Sequence, residues 1–372
     1  MAKLERPCGL KITFKPSARQ YELWTALQPN HCDKCGGKLV MKPNGFDKLG
    51  HRIYQATCEQ CGNTDIPEQV LGGGSAGGGK SYIGCCWLVC SCMQFEGIRM
   101  VVARKVRKTL LETTWVTLKD VLRTWGLKQD IHYHINNVTY VITFWNGSEI
   151  IAMDLTPSPQ DPDFNSLGSL EITGGFIDEV SEVSEKAVEV LASRIRYKIA
   201  ETFVVGKLFM STNPCLTWVR STFVMTDDGD PVELQTGYRY IPFSLFDNPN
   251  EQFRAIYYNK LSKLRNKADR DRLLYGNWLF TTSNKMAAYW NFDGEKHLIH
   301  DLREQAYDPL KPLILSFDFN VNPYMSCLPM QIDFDERIVY VFPEYVGYPK
   351  DKRNNTPAFT RWIASQLVTD GQ

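Results

Sequence analysis

The stretch GSAGGGKS, Gly74–Ser81, decides how the rest of this chain is read. It fits G-x-x-x-x-G-K-[ST] at every fixed position: Gly74, Gly79, Lys80 and Ser81. The residues between them, Ser75, Ala76, Gly77 and Gly78, are small. Successive backbone N–H groups can therefore turn inward around phosphate oxygens that larger side chains would obstruct. A helix starting just after the loop would aim its positive end at the same oxygens. Lys80 is placed to reach the β- and γ-phosphates, and the Ser81 hydroxyl to ligate Mg²⁺. The flanks agree: Glu68–Leu71 reads as a short strand, Gly72–Gly79 as a glycine loop and Lys80–Glu96 as an apolar helix. A plain glycine linker would lack that strand and helix. The expected ligand is ATP with Mg²⁺.

Hydrolysis at such a loop needs an acid at a strand end on the metal side and a second carboxylate to align or deprotonate water. FIDE, Phe176–Glu179, supplies both, 98 residues after Lys80. Asp178 is the expected metal-side acid and Glu179 the expected catalytic base. The competing reading is a strand ending in surface acids, with Glu182 and Glu185 opening an acidic helix start. After the next apolar strand, Lys207–Met210, comes MSTNP. Its Ser211, Thr212 and Asn213 would sit where a γ-phosphate can be sensed, or form a capped turn before Pro214.

Outward from the loop, strands alternate with helices: a strand at Arg99–Ala103, a helix over Thr109–Trp125, strands Thr139–Trp145 and Glu149–Met153 around the Asn146-Gly147 turn, a surface loop Leu155–Ser169, a strand Ile172–Ile177 and a helix Ser184–Ile195. That alternation predicts an α/β fold with a mainly parallel sheet covered on both faces. The expected domains are 1–235 (P-loop domain), 236–306 (linker) and 307–372, which opens with the strand Leu313–Phe319. A helix around Ser17–Leu27 precedes the loop.

Residues 31–66 read as an inserted module. Cys32-x-x-Cys35 and Cys58-x-x-Cys61 are separated by 22 residues, with Gly36 and Gly62 following each pair. Two such turns offer four thiolates to one tetrahedral ion, the arrangement of a structural zinc ribbon. His31 and His51 are alternative donors, but four thiolates already close a site. The chain has 11 cysteines in all, an odd number, which fits metal ligands and buried thiols better than a disulfide framework. Lys and Arg total 42, as do Asp and Glu, so bulk charge announces no nucleic acid. Local basic runs stand out instead: Arg104–Lys108, Arg194–Lys198 and Lys260–Arg272, each of which also fits a solvated helix face. No apolar run reaches membrane-spanning length.

Together these residues resemble the large terminase subunits of tailed bacteriophages, over nearly the whole chain. Pro16-x-x-x-Gln20 is similar to that family's adenine-recognition segment, Leu191–Tyr197 to its basic segment, and Ser211–Pro214 to its coupling motif. Asp247–Pro249 and Tyr275–Trp278 are similar to its linker. LSFDFNVNP, Leu315–Pro323, resembles the first strand of its RNase H-like nuclease. The resemblance implies Asp318 as a nuclease ligand for Mg²⁺ or Mn²⁺, with Glu344 a further candidate acid. It also implies an ATP-driven motor acting on double-stranded DNA with a portal or procapsid and a small terminase subunit. Such a motor would work as a homo-oligomeric ring, with no membrane, in the host cell cytoplasm.

Two departures from the family pattern matter. Where many relatives carry an arginine inside the loop, this chain has Ala76, so an arginine finger is expected from Arg104, Arg194 or Arg196, in cis or across a subunit boundary. Only 54 residues follow Asp318, so further nuclease acids are expected beyond Gln372, and residues 1–372 are expected not to nick plasmid with Mn²⁺. The alternatives are another P-loop translocase or helicase with a zinc ribbon, or a non-enzymatic zinc-ribbon adaptor.

Overall fold

The computed structural model describes residues 4–10, 12, 15–157, 161, 163–199, 201–226, 229–279, 308–319, 325–347 and 356–369. Residues 280–306 of the expected linker, residue 307, residues 158–160 and 162 of the expected surface loop, and residues 320–323 of the LSFDFNVNP segment lie outside these. Two compact units divide the chain, Met1–Ala287 and Ala288–Gln372.

In the first unit, helix α1 (Ala18–Ala26) begins at Ser17, whose side chain and that of Gln20 close a reciprocal cap. An antiparallel ribbon follows, β1 (Leu39–Phe46) with β2 (Arg52–Cys58). The strands of the main sheet are β3 (Gln69–Gly74), β4 (Arg99–Arg104), β5 (Tyr133–Asn136), β6 (Val141–Phe144), β7 (Glu149–Asp154), β8 (Gly174–Ile177), β9 (Lys207–Thr212) and β10 (Tyr238–Phe243). Their order is β10-β3-β9-β8-β4-β7-β6-β5. Every pairing from β10 to β7 is parallel, and the two beyond it are antiparallel.

The central strands are buried on both faces, so they read as continuous apolar runs rather than alternating ones. Alternation appears instead in which layer each residue enters. Met100, Val102, Phe176 and Phe209 point to one core, with Trp87, Leu118 and Phe144. Val101, Ala103, Ile177 and Met210 point to the other, with Leu191, Val219 and Trp278. Helix α2 (Lys80–Gln94) is apolar around most of its circumference because it lies between the sheet and α4 (Thr114–Thr124). Gly84 lets it approach closely, since a Cβ there would stand 2.7 Å from the Phe176 ring.

Three expectations change. The helix expected over Thr109–Trp125 is two helices, α3 (Arg107–Glu112) and α4, broken at Thr113, where φ is −125° and ψ −84°. The Thr113 hydroxyl donates back to Thr109 O at 2.6 Å and accepts from Arg104, holding the break. Gly72–Gly74 belong to β3 rather than to the loop, because Gly72 and Gly73 are paired between β9 and β10 and Gly74 with β10. The boundary expected at 235 is passed by β10, an edge strand of the same sheet, and the first compact unit runs on to Ala287. Among the described residues, the remaining α-helices of this unit are α5 (Glu185–Ser193), α6 (Trp218–Phe223), α7 (Glu251–Ser262) and α8 (Lys267–Leu273).

The second unit holds β11 (Ile314–Phe319), β12 (Met325–Asp333), β13 (Ile338–Val341), β14 (Tyr345–Gly347) and α9 (Thr356–Thr369), and the strand pairs among its described residues are antiparallel. Leu315, Phe317, Met325 and Cys327 face Phe359 and Ile363 of α9.

Gly84→Val would force α2 off Phe176. The expected cost is about 1–3 kcal/mol, read as a lower Tm by calorimetry; an unchanged Tm would show that α2 does not seat on that ring.

Candidate nucleotide and metal sites

Strand β3 ends in the phosphate loop, and the sheet order then gathers what surrounds it. β9 lies between β3 and β8, so the C-terminal ends of three neighbouring strands deliver the loop, the Ser211–Asn213 cluster and the acidic pair side by side. Gly74 has φ +135°, and a Cβ there would lie 2.0 Å from Phe243 O, a fit only glycine allows. The loop's backbone is held from outside. Ser75 N–H donates to Phe243 O (2.9 Å) and Ala76 N–H to Leu273 O (2.8 Å). Asn248 Nδ2 donates to Gly77 O (2.7 Å) and Gln20 Nε2 to Gly78 O (3.2 Å).

Lys80 Nζ donates to Gly74 O (3.1 Å), Ser75 O (2.6 Å) and Asn213 Oδ1 (3.3 Å). Burial lowers its pKa to about 8, against the opposing pull of Glu179 and Asp178. Asp178, 5% exposed, accepts three hydroxyls: Ser81 Oγ (2.9 Å) and Ser211 Oγ (2.5 Å) on Oδ1, and Thr114 Oγ1 (2.6 Å) on Oδ2. Glu179 adopts the left-handed conformation, φ 53° and ψ 53°, which is uncommon for a non-glycine residue and turns the chain sharply away from β8. Burial raises its pKa, as does the Asp178 charge, while Lys80 and Arg104 oppose the rise. Asn213 Nδ2 donates to Glu179 Oε1 at 3.4 Å. One amide thus touches both the buried ammonium and the second carboxylate. Thr212 Oγ1 donates to Asn213 O.

The three arginines separate. Arg104 ends β4; it donates to Thr113 Oγ1 (3.0 Å) and Glu182 Oε1 (3.5 Å), and its charge acts on Glu179. Arg194 and Arg196 flank Ile195, which bridges to Ile172 ahead of β8, at the opposite end of that strand from the acidic pair. There Arg194 donates to Gly168 O and Arg196 pairs with Glu171. Thr114 and Asn248 are contacts that the sequence reading missed. Asn248 lies within the quoted Asp247–Pro249 run, while nothing in the sequence marks Thr114 out from other threonines.

Cys32, Cys35, Cys58 and Cys61 bring their four sulfurs within 4.8 Å of one another. Gly36 N–H donates to Cys32 O and Gly62 N–H to Cys58 O, closing two matching turns in which both glycines have φ 72°. The donor set, four thiols at the ends of two such turns, fits one tetrahedral zinc. The module is fixed to the sheet by Arg239 of β10, which pairs with Asp33 (3.3 Å) and Asp65 (2.8 Å), and by Lys207 of β9, which donates to Pro67 O. Neither His31 nor His51 joins this group; His51 pairs with Asp47.

Asp318 is exposed on β11, opposite Ser326. Glu344, expected on a strand, instead directly precedes β14. Among the described residues, no cluster of carboxylates forms around either.

A parallel sheet that sets a glycine phosphate loop beside a strand-end acidic pair is the architecture of a P-loop ATPase. A profile of the family described as phage terminase large subunit matches residues 68–273, more than half of the chain, which therefore belongs to that family of DNA-packaging ATPases. Among solved structures, the chain is similar to the large terminase of a thermophilic bacteriophage in complex with ATP-gamma-S, at 14% identity and TM-score 0.48, covering 96% of this chain and 74% of that one. Another crystal form of that terminase gives 15% and 0.47, covering 96% and 75%. The ATPase domain of the Thermus phage P74-26 large terminase gives 9% and 0.39, covering 57% and 88%. No curated protein matches.

Thr114→Val keeps the shape of the side chain but removes one donor from the buried Asp178. We expect ATP turnover to fall at least about 10-fold with the circular dichroism spectrum unchanged; unaltered turnover would mean that this contact does not orient the carboxylate.

Proposed function

We propose that this chain hydrolyses ATP to translocate double-stranded DNA into a procapsid, docked on its portal and aided by a small terminase subunit, as a homo-oligomeric ring in the host cytoplasm. The observation that carries the proposal is the Asn213 bridge between Lys80 and Glu179. It places a residue of the Ser211–Asn213 coupling cluster on both groups that must respond when a γ-phosphoryl is transferred.

In this reading the loop from Gly74 to Gly79 cradles the phosphates through N–H groups other than those of Ser75 and Ala76, which are bonded to Phe243 and Leu273, and Gln20 lies against it on the adenine side. Lys80 turns from the loop carbonyls to the phosphate oxygens. Ser81 and Asp178 would hold Mg²⁺, which when bound neutralises developing phosphate charge. Glu179 orients the attacking water and takes its proton, and its raised pKa makes it a better base than an ordinary carboxylate. Ser211, Thr212 and Asn213 register the change at the γ-position. Arg104 serves as the arginine finger in cis, because its charge already acts on Glu179. Arg194 and Arg196 could reach such a site only in a neighbouring subunit. The four cysteines bind a structural zinc whose affinity supplies folding energy to the ribbon. Asp318 would be the first acid of an RNase H-like nuclease that takes Mg²⁺ or Mn²⁺ and cuts concatemeric DNA.

Lys80→Ala should lower ATP turnover by about 10²-fold or more, and Arg104→Ala by a comparable factor. Procapsids carrying portal should stimulate the wild type. Strand separation without such stimulation would favour a helicase instead, and full turnover in Lys80→Ala would remove the ATPase assignment.

The pH dependence follows from the same two groups. Lys80 acts as an ammonium, so activity is lost as pH rises through its folded pKa of about 8. Glu179 acts as a carboxylate, so activity is lost as pH falls through a pKa raised above the ordinary value. A profile of kcat/KM, which reports groups of the free enzyme, should therefore turn down near 8 on the alkaline side. A plateau extending well above that pH would show that Lys80 is not the group read.

A further inference from the structure

We propose that the β1–β2 ribbon of the cysteine module is a duplex-DNA contact separate from the nucleotide site. The proposal rests on the DNA-packaging reading for the identity of the ligand, and on the ribbon itself for the place.

The ribbon stands out from the body of its unit. Residues 41–54 are exposed without interruption on both strands and the turn, and β1 and β2 pair with each other and with no other described strand. An isolated two-stranded hairpin is marginal in water, and here its base is fixed by the cysteine turns, with Leu39 and Cys58 packed on Ile66 and Val205. A segment anchored so firmly, yet exposed along its outer half, is placed to meet something.

Charge identifies what. Lys42, Lys48 and Arg52 lie on the exposed part, with Lys38 at its base. None of them forms an ion pair with a carboxylate among the described residues. Asp47 is the only acid between Lys38 and Cys58, and the turn itself uses it. Its carboxylate accepts from Leu49 N–H (2.8 Å), His51 N–H (2.8 Å) and His51 Nδ1 (3.1 Å). Those bonds hold its pKa below the ordinary value. Two of the basic runs that stand out in the sequence behave differently, because several of their cations are already paired: Arg104 with Glu182, Arg107 with Asp154, Lys108 with Glu112 and Arg196 with Glu171. The third, Lys260–Arg272, carries acids of its own at Asp269 and Asp271, Asp269 pairing with Arg272.

The shape suits the same ligand. A two-stranded β-ribbon is one of the elements that the major groove of B-DNA, about 12 Å wide, admits. Phe46 and Leu49, 64% and 82% exposed, stand at the tip, and the Arg52 guanidinium lies 5.8 Å from the Phe46 ring centroid. Protein–protein contact patches are depleted in lysine, whereas phosphate contacts favour it. The ribbon would thus grip the DNA backbone without demanding a sequence, as a translocating motor requires.

The test uses residues 1–372 and a short fluorescent duplex, with binding followed by anisotropy across a salt series. For Lys42→Gln/Lys48→Gln/Arg52→Gln we expect a Kd at least about tenfold weaker and a plot of log K against log salt shallower by about 2–3 units. DNA-independent ATP turnover and zinc content should not change. Unaltered affinity and slope would overturn the ribbon contact while leaving the motor reading intact, and failure of the wild type to bind any duplex would remove both. Phe46→Ser/Leu49→Ser keeps the cations and should keep the slope. If that variant instead lost procapsid binding or self-association while the charge variant bound duplex normally, the ribbon would be a protein contact and the proposal would fail.

Discussion

A lysine ammonium and two carboxylates share a pocket where Lys80 is 7% and Asp178 5% exposed. Charges so far from water persist only if each is multiply hydrogen-bonded. Much of the surrounding architecture can be understood as meeting that demand. Asp178 takes one hydroxyl from α2, one from β9 and one from α4, so three elements must converge before the acid can be buried. Lys80 is satisfied by two loop carbonyls and one amide oxygen. Removing any one of these elements leaves a buried charge short of a partner, which couples the packing of the sheet to the chemistry at its edge.

The strand order does the rest. With β9 inserted between β3 and β8, the loop and the acidic pair are held two strands apart. That separation, roughly 10 Å from strand spacing alone, leaves room for a phosphate group between ammonium and carboxylate. It also obliges the end of β9 to lie against whatever occupies the gap. The proposed γ-phosphate sensor would need no special machinery here, because the sheet's order puts Asn213 at the end of β9.

Much of this was legible in the sequence. The loop, the acidic pair, the cysteine turns and the Asn-Gly hairpin each carry a local signature tied to a backbone requirement, and each was found where the residues placed it. What escaped reading depended on partners distant in the chain. Thr114 looks like any helix-start threonine until Asp178 arrives 64 residues later. β10 reads as linker because its sequence, YRYIPF, includes a proline, which an edge strand tolerates and a central one does not. The three arginines were equivalent as letters; only the bridge between Ile172 and Ile195 shows that two of them lie at the far end of β8. The basic runs show a related difference, since sequence counts cations and only the structure shows that Arg104, Arg107, Lys108 and Arg196 are paired.

The outward-facing side of the phosphate loop rests on chain that comes much later. Phe243, Asn248 and Leu273 all bond to it, and Gly276 presses so close that an added methyl would sit 2.9 Å from Ser75 N. The supports of the loop's strand therefore run on to Trp278, whose indole N–H donates to the Tyr240 hydroxyl. A dissection that stopped at the end of the Gly-Lys-Ser-to-Asn213 region would keep each signature residue and lose the buttress that gives the loop its curvature.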